Sequence, residues 1–111
     1  RVGRLWGLEG ATLVTSAYAI EEARRNLRWP AQRKRLERRV AGLGEVLATV
    51  PDRPLPRGVA LPEKDCPILL AALHARATHL LTGDVTHFGR FLGREIEGLR
   101  ILTPGRYLAE A

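Results

Sequence analysis

An α/β fold with a mainly parallel central sheet is what this sequence predicts, on three observations. Short apolar runs containing β-branched residues recur along the chain, as at residues 11–15 (ATLVT) and 79–82 (HLLT). Segments with helical periodicity separate them, and strands that alternate with helices imply a parallel sheet covered on both faces, because parallel neighbours need helical crossovers. Finally, 111 residues supply one hydrophobic core and not two, so residues 1–111 are read as one domain.

The elements follow in order. Residues 1–9 read as the end of a helix, with Leu5 and Leu8 on one side and Gly10 at the stop position. Residues 11–15 form a strand, and Ser16 then caps a helix reaching Leu27. Pro30 opens a second helix at a position where proline is tolerated. Its apolar stripe of Leu36, Val40, Leu43, Leu47 and Val50 leaves the arginines on the other faces. Residues 51–56 (PDRPLP) are a connecting loop, and residues 58–61 a short strand. Asp65 caps a helix running to Ala77, apolar nearly all round at residues 68–73 and therefore buried. Strands at residues 79–82, ending at Gly83, and at residues 99–102 (LRIL) follow. Thr103 and Pro104 start a last helix carrying Tyr107 and Leu108.

Composition narrows the function classes. No apolar run approaches the roughly 20 residues that span a bilayer, and no signal peptide or membrane anchor is visible. Cys66 is the single cysteine, which excludes an internal disulfide, so a cytoplasmic location is the default expectation. Residues 24–39 hold eight of the 18 cationic residues against one of the 12 acids, Glu37, and leave the remainder nearly balanced. Such a patch suits a polyanionic partner, since each phosphate it neutralises releases a condensed counterion. It equally suits a solvated helix face, and charge alone does not specify an enzyme.

Open parallel sheets bind ligands beyond the carboxyl ends of their strands, which directs attention to three acids. Asp84 stands two residues after HLLT, Asp65 four residues after residues 58–61 (GVAL), and Glu22 lies in the helix entered from ATLVT. Carboxylates gathered at one rim repel each other unless a cation neutralises them, and hard Mg²⁺ or Mn²⁺ prefers such oxygen ligands. Each acid also has a plain structural role open to it: Asp65 as a helix cap, Asp84 as a turn residue after Gly83, Glu22 as a solvated helix residue beside Glu21.

Residues 16–27 (SAYAIEEARRNL), 65–77 (DCPILLAALHARA), 80–84 (LLTGD) and 101–104 (ILTP), in this order, resemble the PIN domain family over nearly the whole chain. The resemblance implies a three-layer α/β/α sandwich and a Mg²⁺- or Mn²⁺-dependent endoribonuclease, in many members the toxin of a VapBC toxin–antitoxin pair. It implies Glu22, Asp65 and Asp84 as metal ligands and Thr82 as the hydroxyl residue supporting the acids or the attacking water, while the basic patch, with Arg24, Arg25 and Arg28, is read as holding the RNA backbone. An antitoxin protein and a second copy of the chain are the implied protein partners. The chain departs from the family pattern in having no strand ending in aspartate before Arg1. That strand is central in the family, so the resemblance implies an incomplete N-terminus and a strand-wide gap between residues 11–15 and 79–82. The departure keeps a second reading open, a catalytically inactive PIN-like module that binds nucleic acid or protein. A helical nucleic-acid binder using the basic stretch alone is a third, which leaves the acids unexplained.

Other chemistries find less support. His74 and His79, five residues apart, match no zinc pattern. His87, three residues beyond Asp84, can reach the rim but reads as a solvated or helix-starting residue. Cys66 has no visible catalytic partner and reads as a small buried residue. Gly42 and Gly44 sit late in a helical pattern with no strand before them, so they form no phosphate loop.

Overall fold

The structure is a computed structural model that describes residue 5, residues 12–25 and residues 27–110. The helix end expected at residues 1–9 lies outside the described residues except for Leu5, which is buried. Strand β1 (Val14–Ser16) leads directly into helix α1 (Ala17–Arg25). Ser16, only 2% exposed, makes that junction, because its Oγ accepts the Ala19 N–H at 3.1 Å and so caps the helix as its sequence position predicts.

Helix α2 (Pro30–Ala41) begins at its proline as expected but buries none of its residues. It also ends earlier than its apolar stripe suggests. Gly42 closes it, and residues 45–47 form strand β2 (Glu45–Leu47), parallel to β1 with Val14 opposite Glu45. The deciding feature is Gly44, whose N–H donates to the Leu13 carbonyl at 2.7 Å. A Cβ there would lie 2.6 Å from Thr12 Cγ2 and 3.3 Å from the Leu13 oxygen, so the close approach to the chain entering β1 needs a residue without one.

No strand forms at residues 58–61, contrary to expectation. Pro56 and Pro62 bracket the stretch, Gly58 adopts a φ of +82°, and the Val59 N–H closes a turn onto the Pro56 carbonyl, all of which oppose a ladder. Its apolar residues still do what the pattern demands, since Val59 and Leu61 pack against the core.

A short 3₁₀ turn (Glu63–Asp65) precedes helix α3 (Cys66–His74), whose Leu69, Leu70 and Ala71 are buried. It stops short of Ala77, where Arg76 takes a left-handed φ of 55°. Strand β3 (His79–Leu81) follows and pairs in parallel with β5 (Leu99–Leu102), both close to their predicted places. Between them lies the unexpected strand β4 (Glu95–Ile96), antiparallel to β5. Glu97 and Gly98, with φ of 50° and 85°, join the two in the turn that positive φ at both central residues permits. Helix α4 (Pro104–Glu110) starts where Thr103 Oγ1 accepts the Arg106 N–H at 3.2 Å.

The chain is therefore a mixed α/β fold, with its strands in two sheets, β1–β2 and β3–β5–β4. Leu69 of α3 packs with Phe88, Phe91, Ile96, Leu99 and Ile101 to form the core. Alternation along β5 turns Arg100 to the other side, where it pairs with Glu110 of α4 at 3.0 Å. Among the described residues no ladder joins β1 to β3, and a cavity of about 730 Å³ is lined by residues of both strands together with Ile68 and Ala71 of α3 and Tyr107 of α4. Among the described residues, no helix is long and apolar enough to cross a membrane.

Candidate metal centre

Asp65 occupies the cap position of α3, yet its side chain makes no capping hydrogen bond. Proline at the start of the helix already removes one of the N–H groups a cap would satisfy. The Asp65 carboxylate is instead directed at the turn after β3, with the residue only 9% exposed. Burying an ionised carboxylate without compensation is costly, so the simple capping role does not account for it.

The turn after β3 is built by local hydrogen bonds. The Asp84 N–H donates to Thr82 Oγ1 at 3.0 Å, and the His87 N–H donates to Asp84 Oδ1 at 3.0 Å. The latter bond is the chief cause that holds the Asp84 carboxyl below its usual range, partly opposed by burial and reinforced by the nearby imidazole. Phe88, almost fully buried in the core, anchors the turn from below, which fixes the neighbouring His87 at the rim.

The result is a cluster of Asp65, Asp84 and His87 with one ligand atom from each within 4.8 Å of the others. His87 Nδ1 lies 2.9 Å from Asp65 Oδ2 and 2.8 Å from Asp84 Oδ2. Despite these distances, neither Asp65 Oδ2 nor His87 Nδ1 has a hydrogen-bond partner of acceptable direction, and both atoms are buried. The contact is thus close and electrostatic without being a directed N–H···O bond. Orphaned, buried donor atoms of this kind fit a cation site. Sequence alone suggests a solvated or helix-starting His87, and its three-residue spacing from Asp84 is the signal that points to this place instead.

Glu22 sits apart from this cluster. Its carboxylate accepts from Arg25 at 2.8 Å along α1 and is not among the atoms brought within 4.8 Å. It nevertheless shares the neighbourhood: burial first, then the charges of Glu22 and Asp65, raise the pKa of the Tyr18 phenol, whose hydroxyl donates to the Lys64 carbonyl at 2.6 Å. Tyr18 thereby ties α1 to the turn carrying Asp65.

The arginines divide into two kinds. Arg24 is engaged internally, donating to Glu37 of α2 at 2.9 Å and to Glu21 at 2.6 Å, and so fastens the basic helix to α1. The same bond, foremost among the causes, lowers the Glu37 carboxyl pKa. Arg25 and Arg28 are exposed, the former in its ion pair with Glu22. Beside them Trp29 is 65% exposed, an aromatic that charge counting alone did not single out.

No protein-family model, curated protein or solved structure matches this chain.

Proposed function

We propose that the chain is a metal-dependent endoribonuclease with a PIN-like three-layer α/β/α architecture, acting in the cytoplasm, whose cation is held by Asp65 and Asp84. One observation carries the reading: Asp65, at a helix cap, forgoes capping and turns a buried carboxylate toward Asp84. A divalent ion such as Mg²⁺ or Mn²⁺ would supply Lewis acidity there, lowering the pKa of water and offsetting charge on the phosphate and leaving oxygen.

The protein's own residues do the placing. The Thr82 hydroxyl and the His87 N–H fix the Asp84 carboxylate at both ends, and Phe88 keeps their turn seated on the core. Glu22 lies near enough to share its field with Asp65 at Tyr18, while its own carboxylate is held by Arg25. Arg25 and Arg28 hold the phosphates flanking the scissile bond, positioning the strand without reading its sequence. An antitoxin partner that covered this rim would silence the activity.

A second reading is favoured by the ion pair between Glu22 and Arg25, which leaves two converged carboxylates among the described residues: a PIN-like module that binds RNA without cutting it. One experiment separates them. Labelled single-stranded RNA is incubated with the protein and Mg²⁺ or Mn²⁺, and Asp84→Asn is run beside it. The nuclease reading expects cleavage by the wild type, its loss in the variant, and RNA binding kept or tightened because a charge beside the phosphate has gone. Full metal-dependent cleavage by Asp84→Asn would defeat the mechanism. Wild-type binding with no cleavage of any RNA would establish the binding module.

A further inference from the structure

The cluster contains more than an oxygen site needs. Resting on the reading that Asp65 and Asp84 hold a divalent ion, we infer that His87 Nδ1 is the third protein ligand and that the site prefers a borderline first-row cation, such as Co²⁺ or Zn²⁺, to Mg²⁺. Mn²⁺ falls between them in the ordinary affinity series.

Geometry supports the assignment in two ways. Ligand atoms about 2.1 Å from a cation and at right angles to one another are about 3 Å apart, and opposed ones about 4.2 Å. The 2.8 and 2.9 Å approaches of Nδ1 to the two carboxylates match right-angle neighbours, and the 4.8 Å limit on the whole cluster leaves room for the wider pair. The second argument is directional. His87 Nδ1 stands at ion-pair distance from both carboxylates, but neither contact meets the directional requirement of an N–H···O bond, which leaves this buried atom without a hydrogen bond of good geometry. Asp65, a residue only 9% exposed, likewise keeps Oδ2 without a well-directed hydrogen bond. Two buried donor atoms without a well-directed hydrogen bond, Asp65 Oδ2 and His87 Nδ1, therefore stand beside the Asp84 carboxylate, a set that a cation would complete.

Chemistry then sets the preference. Carboxylates alone suit Mg²⁺, Ca²⁺ and Mn²⁺, while an imidazole nitrogen shifts affinity toward later first-row ions. The His87 backbone is held by its N–H on Asp84 and by the burial of Phe88 beside it, which keeps the residue at the rim next to both acids.

The test is direct binding by the whole chain, independent of cleavage. Calorimetric titration with Co²⁺ and Mg²⁺ is compared for the wild type, His87→Asn, His87→Gln and Asp65→Asn, and pulsed electron paramagnetic resonance of bound Mn²⁺ reads whether a nitrogen is directly coordinated. Circular dichroism confirms which variants fold, and two replacements of His87 keep the test open if one does not. The wild type should bind Co²⁺ at least about tenfold more tightly than Mg²⁺ and show nitrogen coupling. Both His87 variants should lose the coupling and roughly tenfold or more in Co²⁺ affinity, by analogy with the loss seen when a ligand's support is removed, with Mg²⁺ affinity nearly unchanged. Equal affinities, no nitrogen coupling and an Asp65→Asn variant that binds neither ion would overturn the role of His87 while leaving the carboxylate site standing. A wild type that binds neither ion would remove both.

Discussion

Thr82→Val removes the hydroxyl that accepts the Asp84 N–H while preserving side-chain shape. That bond is 3.0 Å long and half-buried, and valine leaves the donor without its acceptor rather than replacing the pair. A neutral hydrogen bond is worth about 1 kcal/mol net, and orphaning a partly desolvated donor brings the expected loss to about 1–2 kcal/mol. Urea unfolding followed by circular dichroism should show this as a lower midpoint at unchanged slope. The variant should also hold Mn²⁺ less well. If about 1 kcal/mol is needed to restore the Asp84 pose when the ion binds, the dissociation constant rises about fivefold. Thr82→Ser keeps the hydroxyl and should return both quantities toward the wild type. A Thr82→Val protein with wild-type Mn²⁺ affinity would show that the hydroxyl does not position Asp84, and the account of the turn would fail there.

Three further outcomes are expected. Ser16→Ala removes a cap inside a buried junction and should cost about 1 kcal/mol in urea unfolding; no change would mean that the β1–α1 corner is held by packing alone. Because the folded pKa of Asp84 is depressed, its stabilising contribution is complete above the unfolded value near 3.9 and is lost as pH falls through the lower folded value. Acid titration of stability should therefore fall more steeply for the wild type than for Asp84→Asn below about pH 4, and parallel curves would count against the hydrogen bonds assigned to that carboxylate. Arg25→Gln with Arg28→Gln should weaken RNA binding across sequences and reduce the slope of log K against log salt by about 1.4, or about 0.7 per phosphate contact on single strands. An unaltered slope would return these side chains to ordinary solvation.

The parts of the fold written in the sequence are those decided locally. Ser16 and Thr103 cap the helices they were expected to cap, Pro30 opens α2, and the parallel pair β3 and β5 falls where short apolar runs were seen. Errors arose where a tertiary contact overrode a local pattern. Leu43 and Leu47 continue the helical spacing of Leu36 and Val40, but Gly44 fits against the chain at Thr12 and Leu13, which no count along one segment can reveal. Val59 and Leu61 carry strand-like alternation, and turn geometry between prolines keeps them out of any ladder. The two-residue strand β4 is too short to register before its turn at Glu97 and Gly98 is known. At the site, Asp65 and Asp84 do converge, although only Asp84 follows a strand, since residues 58–61, expected as the strand before Asp65, form none. The place of His87 between the two acids is a tertiary contact that its spacing from Asp84 alone does not fix, and the engagement of Arg24 with Glu37 spans two helices whose packing the sequence does not state.

The central claim is that Asp65 and Asp84 together hold a divalent cation. Crystals of the chain soaked in Mn²⁺ and measured for anomalous scattering test it without reference to activity. The account predicts one strong peak in contact with Asp65 Oδ2 and Asp84 Oδ2, at about 2 Å from each. Ordered carboxylates with no peak between them, or a peak bound elsewhere while His87 still fills the space between the two acids, would contradict it.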